Sequence, residues 1–177
     1  MRRQVLSILV ENTSGLLSHV SGLFSRRGYN IDSISAGVTA DPRFTRITIV
    51  TSGDELLLEQ IEKQVAKLCD VVDVKILEPH ASVTRELMLV KISAKPPKER
   101  KSIFTLHDMI EHFHGKTVDE TPDSVVVEVT GNTDKLDSFL ENIMVDYEIL
   151  ELARTGLTGL SRRADDVILI NEQGERI

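Results

Sequence analysis

The feature that most constrains the fold is one order of apolar patterns that occurs twice along the 177 residues. Each copy predicts a strand, a helix, two strands, a second helix and a last strand, because apolar residues alternate in the strands and recur at helical spacing between them. Pro79 to Thr84 separates the copies. The order βαββαβ is typical of an antiparallel sheet with both helices on one face. The chain is therefore predicted to be α+β, with two tandem ferredoxin-like βαββαβ domains and an open opposite sheet face.

Four helices are predicted, two in each copy, from their apolar faces. The first follows Gly15, the second follows an N-cap at Asp54, the third ends before His114 and the fourth opens after Gly131. Their apolar faces consist of Leu16, Leu17, Val20, Leu23 and Phe24; of Leu57, Leu58, Ile61, Val65 and Leu68; of Ile103, Leu106, Ile110 and Phe113; and of Leu136, Phe139, Leu140 and Ile143.

Charge and cysteine content exclude several classes of protein. The formal net charge of −7 argues against a nucleic-acid binder that works by neutralising phosphates. Cys69 is the single cysteine, so neither an intrachain disulfide nor a zinc cluster is expected, and we predict a small buried side chain there. No apolar run approaches the roughly 18 residues of a membrane span, and a strand begins almost at the N-terminus. These features predict a cytoplasmic protein without a membrane segment.

The turn after the first strand, Glu11 to Leu17, offers chemistry for binding rather than catalysis. It supplies the Asn12 carboxamide, the Ser14 hydroxyl and a glycine, Gly15, at the start of a helix. Helix N-terminal N–H groups and the helix dipole favour a small carboxylate. The alternatives are structural, because Asn is common in turns and caps and Gly15 could serve only tight packing.

Unprotected sheet edges and small size predict self-association. The sheet of a βαββαβ domain ends in edge strands, which tend to pair with another chain. Domains of this size bury a modest fraction of their surface, so association would help to stabilise them. We therefore expect at least a homodimer.

Several ordered motifs then resemble the ACT domain and the remainder of the small regulatory subunit of acetohydroxyacid synthase, also called acetolactate synthase. They begin with Asn12-Thr-Ser-Gly-Leu-Leu17 and Gly22-Leu-Phe-Ser-Arg-Arg-Gly-Tyr-Asn-Ile31. They continue at Glu59-Gln-Ile-Glu-Lys-Gln-Val65, Lys67-Leu68 and Asp70-Val71, at Arg85-Glu-Leu-Met-Leu-Val-Lys-Ile92, and at Ala153-Arg-Thr-Gly156 with Gly159-Leu-Ser-Arg162. The resemblance covers the chain from Arg2 to about Arg162.

This resemblance implies a non-catalytic subunit that binds and activates a larger catalytic subunit and confers feedback inhibition by valine or another branched-chain amino acid. Thiamine diphosphate, Mg and FAD are expected in that partner and no cofactor in this chain. The resemblance implies an ACT domain at 1–79 for effector binding and dimerisation, a C-terminal domain at 84–160 and a tail at 161–177. The effector-binding residues it implies are Asn12, Ser14, Gly15, Leu16 and Leu17, with Asn30 and Ile31 reaching in from a neighbouring chain.

Two other functions remain open from the sequence. One is an ACT-type amino-acid sensor that controls a different enzyme or regulator. The other is a stand-alone enzyme on a ferredoxin-like fold, since a fold does not determine a function. The sequence contains no Ser-His-Asp ordering, P-loop or dinucleotide fingerprint, and its histidines and acidic residues, Asp70 among them, are expected on solvated surfaces.

Overall fold

The computed structural model describes residues 2–95 and 101–163. The backbone contacts divide the chain into two units. The first contains residues up to Val83 together with a segment that starts at Gly156, and the second spans Thr84–Thr155. The second unit thus ends before residue 160, the predicted bound, because residues 156–163 pack with the first unit. Residues 164–177 of the predicted tail lie outside the described residues.

The first unit has the predicted order of elements. They are β1 (Arg2–Glu11), α1 (Leu16–Arg27), β2 (Ser33–Val38), β3 (Phe44–Gly53), α2 (Glu55–Val65) and β4 (Val71–Ile76). Its four strands form an antiparallel sheet in the order β2-β3-β1-β4.

The second unit repeats that architecture. Its elements are β5 (Ser82–Ser93), α3 (Leu106–His112), β6 (Lys116–Glu120), β7 (Ser124–Gly131), α4 (Thr133–Ile143) and β8 (Ile149–Arg154). The strands follow the order β6-β7-β5-β8, which matches the first sheet position by position. A short strand, β9 (Thr158–Ser161), lies in the segment that belongs to the first unit. The prediction of an α+β chain with two βαββαβ units is confirmed.

Each unit has its own aliphatic core between its sheet and its helices. In the first unit, alternate residues of β1 and β3 meet one face of α1 and α2, and this core includes Leu6, Ile8, Ile47, Ile49, Val20, Phe24 and Ile61. The core of the second unit includes Met88, Val90, Ile92, Val127, Val129, Leu136, Phe139 and Ile143. Burial of these side chains is the main source of stability for each unit.

One sheet face differs from the prediction of an open surface. Ser7, Leu9, Thr48 and Val50 lie on the face of the first sheet that points away from its core, and each is less than 5% exposed. These side chains are small or aliphatic, and the Ser7 hydroxyl accepts a hydrogen bond from Arg46 at 2.9 Å. A face of this composition tolerates burial, because it carries few groups that need water.

Two element boundaries also differ from the predictions. The sequence predicts a strand from Tyr29 to Val38, with Ile31, Ile34, Ala36 and Val38 apolar. The strand β2 begins only at Ser33, because the Asn30 carbonyl accepts from the Thr51 hydroxyl and the Asp32 carboxylate accepts from the Ser52 hydroxyl, both on β3. The helix predicted to include Ile103 begins at Leu106, where Thr105 is its N-cap, and Ile103 is 88% exposed.

Candidate functional site

The loop between β1 and α1 depends on a left-handed glycine. Gly15 is the N-cap of α1 and has a φ of +86°, which a residue with a Cβ adopts only with strain. An ideal Cβ built there would meet no other atom within 4 Å. Backbone conformation rather than crowding therefore explains the glycine, and the space in front of it is open.

The start of α1 presents backbone N–H groups to this space. The first helical hydrogen bond runs from the His19 N–H to the Gly15 carbonyl at 3.1 Å, so the three preceding amides, of Leu16, Leu17 and Ser18, have no acceptor in the helix. Among the described residues, no side chain caps α1. The helix dipole adds partial positive charge at the same place, which favours an anion.

Asn12 is held in place beside these amides. Its Nδ2 donates to the Pro42 carbonyl at 3.1 Å, and its Oδ1 accepts from the Thr45 hydroxyl at 3.1 Å. Its backbone N–H donates to the Arg43 carbonyl at 2.7 Å. Because Nδ2 carries two hydrogens, one donor of the carboxamide remains after these bonds. The geometry fixes the Asn12 side chain and keeps one of its donors available.

An open pocket of about 420 Å³ joins this loop to β2. It brings together four of the predicted site residues, Asn12, Gly15, Leu16 and Leu17. The pocket also contains Thr13, which belongs to the predicted turn, and residues that the sequence analysis missed: Ser18, Ala36, Gly37, Val38 and Thr45. The only sequence signal for the β2 residues is their small size in a predicted strand, which does not reveal that β2 passes the loop.

Three predicted site residues lie outside this pocket in the single chain. Ser14 is exposed and does not line it. The Asn30 carboxamide bonds to the Asp32 carboxylate, and Asp32 in turn accepts from the Ser52 hydroxyl. Ile31 packs against the core of the first unit. One protomer alone therefore does not bring Asn30 and Ile31 to the loop.

A second group of polar residues, centred on Asp70, also holds the loop in place. Asp70 accepts hydrogen bonds from the Thr13 hydroxyl at 3.3 Å and pairs with His19 Nδ1 at 2.8 Å, and its carbonyl accepts from the Glu11 N–H. The His19 hydrogen bond is the main reason that the pKa of Asp70 lies below its usual value. The Asp70 side chain is only 15% exposed, so the expectation of a solvated carboxylate was wrong.

Cys69 also differs from its prediction. The side chain is exposed rather than buried, because it lies in the turn that leads from α2 to β4, and its thiol lies 3.6 Å from the Asp70 carboxylate. Within residues 2–95 and 101–163, no cluster of His, Cys, Asp or Glu could hold a metal ion. Over the same residues, no helix is long and apolar enough to cross a membrane.

Comparison with known proteins identifies the family. Residues 6–73 match the family model of the AHAS small subunit-like ACT domain, and residues 85–163 match the small subunit of acetolactate synthase. A probable acetolactate synthase small subunit of Methanothermobacter thermautotrophicus is 47% identical over 89% of this chain and 92% of the relative. The chain belongs to the acetolactate synthase small-subunit family.

Two further relatives extend the comparison within the small-subunit family. The acetolactate synthase isozyme 3 small subunit of Escherichia coli is 48% identical over 90% of this chain and 96% of its own length. The crystal structure of the small subunit from Thermotoga maritima has a TM-score of 0.80 and 34% identity, and the match covers 92% of this chain and 99% of that one. The resemblance seen in the sequence and the α+β fold are thereby confirmed.

The two family matches contain different structural features of this chain. The ACT-domain match contains the loop from Asn12 to Leu17 and the Asn30-Ile31 pair. The second match extends to residue 163 and so contains the segment 156–163 that returns to the first unit.

Proposed function

We propose that this chain is a non-catalytic regulatory subunit that binds and activates the catalytic subunit of acetohydroxyacid synthase and confers feedback inhibition by valine or another branched-chain amino acid. The observation that carries this proposal is the uncapped N-terminus of α1, which opens into a pocket lined by a fixed carboxamide and apolar side chains. The names of the small-subunit relatives support the regulatory role.

The pocket offers complementary chemistry to each part of an aliphatic amino acid. Its carboxylate would accept from the amides of Leu16 and Leu17 and from the remaining donor of Asn12. The exposed side chains of Leu17 and Val38 would contact the aliphatic group of the ligand. Such contacts bind the molecule and leave its covalent structure unchanged.

A neighbouring chain would complete this site. β2 lies at the edge of the first sheet and pairs only with β3 among the described strands. Ile34 and Val38 on this strand are 39% and 60% exposed. An edge strand with exposed apolar residues favours pairing with a second copy, which supports a homodimer with Asn30 and Ile31 delivered across the interface.

Feedback inhibition then follows from the two-chain site. A ligand that contacts both protomers stabilises one arrangement of the pair, and it shifts the equilibrium only by its difference in affinity between arrangements. Couplings of about 1–3 kcal/mol, or roughly 5- to 150-fold in affinity, are typical. The catalytic partner, which would carry the thiamine diphosphate, Mg and FAD, would sense this arrangement. The proposed compartment is the cytoplasm, in keeping with one exposed cysteine, Cys69.

The test is reconstitution with a catalytic subunit. The tagged chain is mixed with the candidate thiamine-diphosphate enzyme, and both co-purification and the rate of acetolactate formation from pyruvate are measured with and without valine. We expect co-purification, a faster rate than that of the catalytic subunit alone, and inhibition by valine. Failure to co-purify, or pyruvate turnover by this chain alone, would contradict the proposal.

A further inference from the structure

We infer that Gly156 and Leu157 are positioning residues that transmit effector occupancy from β2 to the rest of the chain. The inference rests on the proposed function, because it concerns how the effector site of that function acts at a distance. Two observations support it. Gly156 and Leu157 pack closely against the backbone of β2 within the first unit, and the preceding residue, Thr155, is hydrogen-bonded to Leu87.

Gly156 lies against the backbone of β2 at a distance that no other residue allows. A Cβ at this position would lie 2.5 Å from the Ile34 carbonyl oxygen, 2.7 Å from its carbonyl carbon and 3.1 Å from the Ser35 nitrogen. All three atoms belong to the main chain, so a side-chain rotation cannot relieve the overlap. Any larger residue must displace either β2 or the segment that carries it.

The residues after Gly156 hold the segment in this seat. Leu157 is only 5% exposed, and its N–H donates to the Ser33 hydroxyl at 3.5 Å. Farther along, the Arg162 N–H donates to the Ala81 carbonyl at 2.8 Å, and its Nε donates to the Ser82 carbonyl at 3.0 Å. The segment from residue 156 to residue 163 is thus bound to the first unit near both of its ends.

The residue before Gly156 is fixed to the second unit. The Thr155 N–H donates to the Leu87 carbonyl at 2.9 Å, and the Thr155 hydroxyl accepts from the Leu87 N–H at 3.0 Å. Consecutive Cα atoms are about 3.8 Å apart across a trans peptide. Since Thr155 and Gly156 are consecutive and each is anchored, the chain has no slack between the two anchors.

β2 is the strand that the effector would move. It follows Asn30 and Ile31, the residues proposed to reach a neighbouring site, and it lines the pocket through Ala36, Gly37 and Val38. A shift of β2 at Ser33 and Ile34 must therefore either move Gly156 and the attached Thr155 or break the contacts of Gly156 and Leu157 with β2. Thr155 and Gly156 thus convert occupancy of the site into a displacement that reaches beyond the first unit.

The first experiment substitutes Gly156→Ala in the reconstituted holoenzyme. We expect activation of the catalytic subunit to remain. The valine concentration that gives half-inhibition should rise by at least about fivefold, the lower end of typical couplings. Gly22→Ala is the matched control, because its added methyl would meet only the flexible end of Arg26 at 3.2 Å. Inhibition by valine should be unchanged in the control.

A second variant tests the same inference without a clash. Two residues, Gly-Ser, are inserted between Thr155 and Gly156, which leaves both anchors intact and adds slack between them. We expect valine to bind to this variant with near wild-type affinity by calorimetry while inhibition is lost. The same insertion between Pro122 and Asp123, in the exposed turn between β6 and β7, should leave inhibition intact.

The outcomes separate the inference from the proposed function. If valine inhibits the Gly-Ser insertion variant as strongly as it inhibits the wild type, the inference alone is overturned. Loss of valine binding together with inhibition in that variant would assign the segment a purely structural role and also overturn it. A wild-type holoenzyme that neither binds nor responds to valine would overturn the proposed function and the inference with it.

Discussion

The two units share one topology but treat the start of their first helix in opposite ways. In the first unit α1 begins at a left-handed glycine without a side-chain cap. In the second unit α3 begins with a capping box, in which Thr105 accepts from the Asp108 N–H and the Asp108 carboxylate accepts from the Thr105 N–H. The second unit thus places its own carboxylate where the first unit leaves room for one.

A second difference concerns charge at matching register. Arg2 pairs with Gly53 in the first sheet, and Glu86 pairs with Gly131 in the second, so the two residues occupy equivalent positions. Arg2 is exposed and forms a loose bridge to Glu78 at 3.4 Å. Glu86 is buried and bonds to Arg154 Nε at 2.6 Å.

The comparison indicates a division of roles between repeated units. In the second unit, Asp108 on α3 bonds to Thr105, and Glu86 and Asp137 both accept from Arg154, so these charged groups have partners within the unit. In the first unit, polar backbone groups at the site remain free for a ligand. The same fold therefore leaves the proposed ligand site open in one copy and fills the equivalent helix start with its own side chain in the other.

The largest effect on the free energy of unfolding is expected from breaking the buried Glu86–Arg154 ion pair of the second unit. Burial acts to lower the pKa of Arg154, but hydrogen bonds to Asp137 and Glu86 outweigh it and raise the pKa above its usual value. Arg154→Met would leave the buried Glu86 carboxylate without its cation. We expect a loss of about 3 kcal/mol in the free energy of unfolding, measured with urea.

Arg2→Met is the matched control for that variant. Its bridge is exposed, so the expected loss is below about 1 kcal/mol. Equal losses in the two variants would contradict the contrast between the units.

The next effect places a negative charge in the candidate site. Gly15→Asp puts a carboxylate beside the free amides of α1, where it would compete with a ligand carboxylate. We expect the affinity for valine to fall by at least about tenfold, which corresponds to 1.4 kcal/mol, in isothermal titration calorimetry.

Two controls separate charge from backbone strain in that experiment. Gly15→Asn has nearly the same shape and the same left-handed conformation without the charge, so it should weaken valine binding less. Gly28→Asp places the acid at a second left-handed glycine with no atom within 4 Å of its Cβ, at the other end of α1. Equal binding by wild type and Gly15→Asp would remove this loop from the site.

A smaller effect is expected from the capping box of α3. Thr105→Ala removes the acceptor for the Asp108 N–H and should destabilise the protein by about 1 kcal/mol in thermal or urea unfolding. Valine binding should not change, because α3 contributes nothing to the proposed site. A large loss of valine affinity in this variant would contradict the proposed division of roles.

The smallest effect is a pH dependence of the loop anchor. The folded-state pKa of Asp70 is lowered, chiefly by the His19 hydrogen bond, so its contribution to stability is present above the unfolded pKa near 3.8 and is lost as pH falls through the lower, folded value. The stability difference between wild type and Asp70→Asn should therefore be present at pH 6 and should shrink below about pH 4. Urea unfolding at several pH values measures this stability difference. A difference that grows towards low pH would contradict the claim that ionised Asp70 stabilises the loop.

Much of the fold could be predicted because periodicity reports burial directly. The order of strands and helices and the apolar faces of α1, α2 and α4 follow from the spacing of residues such as Val20, Ile61 and Phe139, which are fully buried. The start of α3 was misplaced, because Ile103 has helical spacing but lies before the Thr105 cap. Local capping overrides an apolar pattern at helix ends.

The candidate site could be predicted only in part, for a different physical reason. The sequence indicates the loop with Asn12 and Gly15, since its turn chemistry is local. The contribution of Ala36 and Val38 depends on where β2 returns, and the partners of Asp70 depend on the turn after α2. Those are contacts between distant parts of the chain, which spacing along one segment does not encode.

The most direct test of the central claim follows the amides of both helix starts while valine is added to the ¹⁵N-labelled protein. We expect saturable chemical-shift changes at Leu16, Leu17 and Ser18 in ¹H–¹⁵N NMR spectra, with Leu106 and Asp108 unchanged. Unmoved signals at the start of α1, or valine-dependent shifts centred on the start of α3, would contradict the claim that the uncapped helix of the first unit holds the effector.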